Sequence, residues 1–144
     1  MKVTKILSLL IVSLIVISCS KTKKTVNKLE GEWQVHEYKV TNSNGLTYFY
    51  PADGTITFKN FSENICDYFI DITYDNQGTT YSKNESGTLI LHEDGEYYDM
   101  NRINADESTT VLEDGRIVLL TSDDLKTHFG DEFGLHAFIL EKQN

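Results

Sequence analysis

Ile65-Cys66-Asp67-Tyr68-Phe69-Ile70-Asp71-Ile72-Thr73-Tyr74 is the stretch from which the fold is read. Cys66, Tyr68, Ile70, Ile72 and Tyr74 alternate with Asp67, Phe69, Asp71 and Thr73. Side chains of a strand point to opposite faces in turn, so this alternation predicts one buried face and one largely wet face. Further short apolar runs predict strands over Gly31 to Val40, Leu46 to Tyr50, Thr55 to Asn60, Gly87 to His92, Tyr97 to Arg102, Ser108 to Leu112, Arg116 to Thr121 and Leu135 to Glu141. Asn44-Gly45, Asp53-Gly54, Asp94-Gly95 and Asp114-Gly115 punctuate them, and these dipeptides tolerate the positive φ of tight hairpin turns. A meander of such strands leaves two sticky edges unless it closes, into a barrel or a two-layer sandwich. Ser122-Asp123-Asp124-Leu125 reads as a short helix before the last strand, with Ser122 as N-cap and two acids in the first turn.

The chain begins differently. Lys2 and Lys5 precede an apolar run from Ile6 to Ile17 broken only by Ser8 and Ser13. A helix of that run reaches roughly 18 Å, short of a hydrocarbon core of about 30 Å, which suits an export signal better than a membrane span. The run ends in Val16-Ile17-Ser18-Cys19, which resembles the lipobox of bacterial lipoproteins. The resemblance implies cleavage between Ser18 and Cys19, acylation of the Cys19 thiol, and anchoring by two or three acyl chains. Residues 1–18 are then a signal peptide, 19–28 a lipidated cysteine and basic tether, and 29–144 one folded domain, long enough for a single core.

From Leu29 onward 7 basic residues stand against 22 acidic ones, so phosphate repulsion argues against a nucleic-acid partner. Removing residues 1–18 with their two lysines takes the net charge from -9 to -11. Lys21, Lys23, Lys24 and Lys28 concentrate positive charge in the tether, where it can lie against anionic headgroups or simply keep a linker solvated. Cys66 is the one remaining thiol, so no intramolecular disulfide forms, and its acidic neighbours favour a buried, inert role over a nucleophilic one.

No enzyme is expected. His36, His92, His128 and His136 have no metal-ligand spacing, and the acidic clusters do not reproduce a calcium loop. Neither a nucleophile elbow nor a glycine-rich phosphate loop is present. No metal, cofactor or specific protein partner is implied.

Leu29-Glu30-Gly31-Glu32-Trp33-Gln34-Val35 resembles the opening strand of lipocalin-like domains. Together with the lipobox, Gly54-Thr55-Ile56-Thr57-Phe58 and Phe138-Ile139-Leu140-Glu141-Lys142, it is similar to the lipocalin-like lipoproteins of the Bacteroidota. The resemblance implies an all-β, antiparallel up-and-down barrel of about eight strands, with Gly31 and Trp33 at its closed end. The arginine that covers this tryptophan from the last strand in animal lipocalins has no counterpart between Leu135 and Glu141. By the same resemblance the barrel holds a small hydrophobic or amphipathic ligand, and Tyr48, Tyr50, Tyr68 and Tyr97 are candidate lining residues. The alternative is a structural or protein-interaction lipoprotein without a ligand. Ser20-Lys21-Thr22-Lys23-Lys24 lacks the acids that mark surface export in Bacteroidota lipoproteins, which implies the periplasmic face of the outer membrane.

Overall fold

The computed structural model describes residues 21–143. The predicted signal peptide, its cleavage site at Ser18 and the acylated Cys19 lie outside the described residues. A helix, α1 (residues 21–29), precedes nine antiparallel strands. These are β1 (Gly31–Thr41), β2 (Thr47–Tyr50), β3 (Ala52–Ser62), β4 (Ile65–Asn76), β5 (Thr79–Leu91), β6 (Tyr97–Ile103), β7 (Thr109–Leu120), β8 (Asp124–Asp131) and β9 (Gly134–Lys142). β1 pairs with both β2 and β3, from β3 onward neighbours in sequence pair in order, and β9 returns to pair with β1, closing the sheet. Pro51 separates β2 from β3, and both pair with β1, Tyr50 opposite Tyr38 and Phe58 opposite Gly31. The two act as one stave with a break, and the barrel has eight staves, the up-and-down topology expected.

An eight-stranded barrel leaves an interior just wide enough for side chains. Trp33, Val35, Ile56, Phe58, Tyr68, Ile70, Leu89, Met100, Leu125, Phe138 and Leu140 fill it, all buried. In β4 the inward set is the one read from the alternation, Cys66, Tyr68, Ile70 and Ile72. In β1 the parity changes at His36: Val35 pairs with Leu140 and Glu37 with Ile139, so one extra residue is bulged. That shift brings Tyr38 inward. Gly87 has a different task, because a Cβ there would meet the Asn101 carbonyl oxygen at 1.9 Å and the Tyr68 ring at 3.1 Å.

Three local expectations are corrected. Ser122 to Leu125 is not a helix. Thr121 Oγ1 accepts the Asp123 and Asp124 amides at 3.2 and 2.8 Å in a tight turn, and Asp124 already opens β8. Leu125, Thr127 and Phe129 then alternate inward, a strand period that outweighs the capping signal. Asp114-Gly115 is not a turn either, but an irregularity that lets β7 run unbroken through the two segments predicted as separate strands. Asp53-Gly54 lies inside β3, pairing with Thr73 and Ile72, and only Asn44-Gly45 and Asp94-Gly95 sit between strands.

α1 occupies the stretch read as a solvated tether and packs across one barrel end. Leu29 is 1% exposed, and its carbonyl accepts the Trp33 indole N–H at 2.8 Å. Thr22 and Thr25 donate to the carbonyls of Glu93 and Gly95 in the β5–β6 turn. Trp33 is fully buried beneath this helix, and Lys142 of β9 holds its ammonium 5.1 Å from the indole centroid while donating to the Lys28 carbonyl at 2.8 Å. The cation missing between Leu135 and Glu141 is therefore supplied one residue later. Gly31 makes this possible: its φ is +129°, and a Cβ would sit 3.1 Å from Lys142 Cε. Lys142→Met keeps most of the stem and removes the charge. It is expected to cost about 0.5–1 kcal/mol, read as a lower urea midpoint at unchanged slope.

Candidate functional site at the barrel mouth

The end opposite α1 is built from the C-terminal parts of β1, β4, β6 and β8 and the N-terminal parts of β2, β5 and β9. Register places its side chains. Tyr38 and Tyr50 are paired on β1 and β2, Tyr74 and Tyr81 on β4 and β5, and the four rings meet. Tyr38, Tyr50 and Tyr74 are mutually in contact, with centroids 5.2 to 5.8 Å apart, and Tyr81 stacks on Tyr74 at 5.7 Å. Phe138 and His136 of β9 stack against the other side of Tyr38 at 4.9 and 5.9 Å.

Tyr38 and His136 also belong to a buried polar chain. The Tyr38 hydroxyl is 2.7 Å from His136 Nδ1, and His136 Nε2 is 2.8 Å from Asp131 Oδ1. Arg102 donates from Nη1 to Asp131 Oδ2 at 3.4 Å and from Nη2 to Glu132 at 3.1 Å. Nearby, Glu85 accepts from the Tyr68 hydroxyl at 3.0 Å and from Lys83 Nζ at 2.9 Å. The side chains of Asp131, His136 and Glu85 are 1%, 5% and 6% exposed.

Electrostatics assigns the protons. Burial alone would raise the Asp131 carboxyl. The hydrogen bonds from His136 and from the Phe133 amide, with the charges of His136 and Lys83, outweigh burial and hold it below the usual carboxylate range. An ionised carboxylate only accepts, so His136 Nε2 carries the hydrogen directed at Asp131. Burial, reinforced by Tyr74 and Asp131, pushes the Tyr38 hydroxyl well above the ordinary phenol range, so it stays protonated beside His136 Nδ1. Burial and Glu85 do the same to Tyr68. The mouth therefore holds buried, hydrogen-bonded polar groups beside a tyrosine cluster, an arrangement suited to fixing the polar end of a molecule whose flat apolar part lies on the rings.

Of the four predicted lining residues, Tyr48, Tyr50 and Tyr68 lie on the inward face. Tyr48 is at the rim, 46% exposed and stacked on Tyr50 at 6.4 Å, whereas Tyr68 is fully buried at mid-barrel. Tyr97 does not join them. Its neighbour Tyr98 takes the inward position, bonded to Thr127 at 2.7 Å, and Tyr97 turns outward under the Arg116 guanidinium near α1. Lys83, Glu85, Arg102, Asp131 and His136 were missed. Their signal is parity: Lys83 and Glu85 share the phase of Leu89 and Leu91, and His136 that of Phe138 and Leu140.

Elsewhere, His36 and His92 pair with Glu141 and Asp99, and among the described residues no three His, Cys, Asp or Glu side chains gather to hold a metal ion. Cys66 is buried, and burial, aided by Asp67 and Glu30, pushes its thiol up to about 12.

No family model and no curated protein matches the chain. Several solved structures do. A redesigned β-barrel is 18% identical, covering 82% of this chain and 94% of its own with a TM-score of 0.51. Another redesigned β-barrel, bound to DFHBI, is 16% identical over 81% of this chain and 96% of its own, with a TM-score of 0.53. A de novo designed fluorescence-activating β-barrel gives 13% identity over 81% and 95%, with a TM-score of 0.50. At such identities the similarity establishes the closed β-barrel fold.

Proposed function

We propose that this protein is an acylated envelope lipoprotein whose barrel binds a small amphipathic molecule at its aromatic mouth, without enzymatic activity. The observation that carries the reading is the buried Tyr38–His136–Asp131–Arg102 chain, whose Tyr38 packs against Tyr50 and Tyr74. Burying ionisable groups is costly, and well-packed apolar residues of similar volume would serve a purely structural barrel as well or better. The binding of DFHBI by a redesigned barrel of the same fold supports small-molecule binding by such a barrel. Tyr38 and His136 are almost fully buried, so the ligand's apolar part rests at the level of Tyr48, Tyr50 and Tyr81, and its polar end reaches the chain below when the tyrosines part.

Orientation follows from α1. Its first turn is held against the β5–β6 turn at the closed end, and Cys19 stands two residues before it in sequence. With Cys19 acylated, this arrangement supports a mouth that faces away from the membrane, and the proposed address is the periplasmic face of the outer membrane. Cys19→Ala is expected to move the protein from the membrane to the soluble fraction, read by cell fractionation and immunoblotting; full retention in membranes would refute the anchor. Domain loss on protease treatment of intact cells would refute the periplasmic address.

A second reading, a lipoprotein that docks another protein, draws on the rim. Leu46 and Phe49 on the β1–β2 hairpin, and Phe133 and Leu135 on the β8–β9 hairpin, are 42 to 70% exposed. The hairpins adjoin across Thr41, which pairs with both Thr47 and Leu135.

A further inference from the structure

Beside α1, at the barrel end remote from the mouth, a half-open groove of about 380 Å³ runs between the helix and β7. Its apolar side is formed by Ile117, Val118, Leu119 and Leu120 of β7. Its polar side carries Lys24 and Lys28, one helical turn apart on α1, and Arg116 at the head of the apolar segment. Glu96 is the one carboxylate residue in the lining. The Arg116 guanidinium is steadied over the Tyr97 ring at 5.4 Å, and among the described residues none of these three cations forms an ion pair with a carboxylate.

Against a background of 22 acids and 7 bases from Leu29 onward, this is a local inversion of charge laid along an apolar strip. Such a pairing fits an anion that carries hydrocarbon. A free phosphate would gain nothing from Ile117, Leu119 and Leu120, and a neutral lipid nothing from the cations. The helix that lines the groove, α1, begins two residues after Cys19 in sequence. We infer that the groove between α1 and β7 binds the anionic headgroup and upper acyl chain of a membrane phospholipid, with Lys24, Lys28 and Arg116 on the phosphate and β7 under the chain. The membrane location rests on the anchored reading above; the lipid selectivity does not.

The test uses the full chain, purified in mild detergent and offered dioleoyl phosphatidylglycerol and dioleoyl phosphatidylcholine together, with retained lipid counted by native mass spectrometry. Wild type is expected to retain the phosphatidylglycerol preferentially. Selectivity should fall by about fivefold for each cation removed on the way to Lys24→Gln/Lys28→Gln/Arg116→Gln. Should the triple variant unfold, Lys24→Gln/Lys28→Gln, exposed on α1, is expected to lose the share of its two charges. Equal retention of both lipids, selectivity untouched by the variants, or displacement of the lipid by millimolar inorganic phosphate would overturn the assignment. The intact mass of the same sample reports Cys19 acylation. Acyl mass without selectivity therefore fails the groove alone, and selectivity without acyl mass fails the anchor alone.

Discussion

Asp131→Ala is expected to destabilise the barrel by about 3–5 kcal/mol, the range for breaking a buried ion pair from one side. The carboxylate serves three donors at once: His136 Nε2 at 2.8 Å, Arg102 Nη1 at 3.4 Å and the Phe133 amide at 2.8 Å. Its loss strands the first of these in the barrel wall, while Arg102 keeps Glu132. Asp131→Asn, which retains an acceptor oxygen, should cost less. The two variants also separate by pH. Because the folded carboxyl is held below its unfolded value, the unfolded chain binds the extra proton and stability rises with pH. The contribution is complete above about pH 4, where the unfolded carboxyl titrates, and is lost as pH falls through the lower folded value. Urea midpoints taken from pH 7 down to pH 3 should therefore fall more steeply for wild type than for Asp131→Asn. Parallel curves would remove Asp131 from the account of acid stability.

Trp33→Ala is the second large effect, about 3–5 kcal/mol for an aromatic ring deleted from a close-packed site. The indole fills the closed end under Leu29, donates to the Leu29 carbonyl and lies beneath the Lys142 ammonium. Removing it leaves a void, an unpaired carbonyl and a cation without its ring, and loosens α1. The measurement is a circular-dichroism denaturant titration, since the substitution deletes the single tryptophan. Trp33→Phe should recover part of the packing and none of the hydrogen bond. A midpoint for Trp33→Ala within experimental error of wild type would mean that α1 and the closed end fold independently of the indole.

Much of the barrel was legible because a strand writes its burial in every second residue. Ile65 to Tyr74 shows both inward and outward faces, and β1, β3, β6 and β9 carry enough apolar residues to be located within a few positions. β8 was not legible: Asp123 and Asp124 after Ser122 imitate a helix start, and only the inward parity of Leu125, Thr127 and Phe129 reveals the strand. The first half of β5, Thr79 to Ser86, is polar apart from Tyr81 because its inward side chains include Lys83 and Glu85, which meet charges rather than hydrocarbon. That is also why the mouth escaped notice. Its polar chain joins β1, β6, β8 and β9, residues up to 98 apart in sequence, and no local spacing records that approach. Asp131 in particular sits in one of the acidic clusters that match no calcium loop, whereas closure of the barrel gives it His136 and Arg102. The basic stretch after Cys19 was legible as charge but not as structure, since Thr22, Val26 and Leu29 acquire a buried face only against the completed barrel end.

The central claim, a ligand held at the tyrosine mouth, is tested most directly by native mass spectrometry of the full-length protein isolated in mild detergent from its own host. Wild type should carry a noncovalent small molecule that is lost from Tyr50→Ala/Tyr81→Ala but kept by Lys24→Gln/Lys28→Gln, which alters only the distant groove. Wild-type protein flying at its bare or acylated mass, bound to another protein alone, or carrying no small molecule other than one indifferent to the tyrosine substitutions, such as a phospholipid of the groove, would contradict the claim.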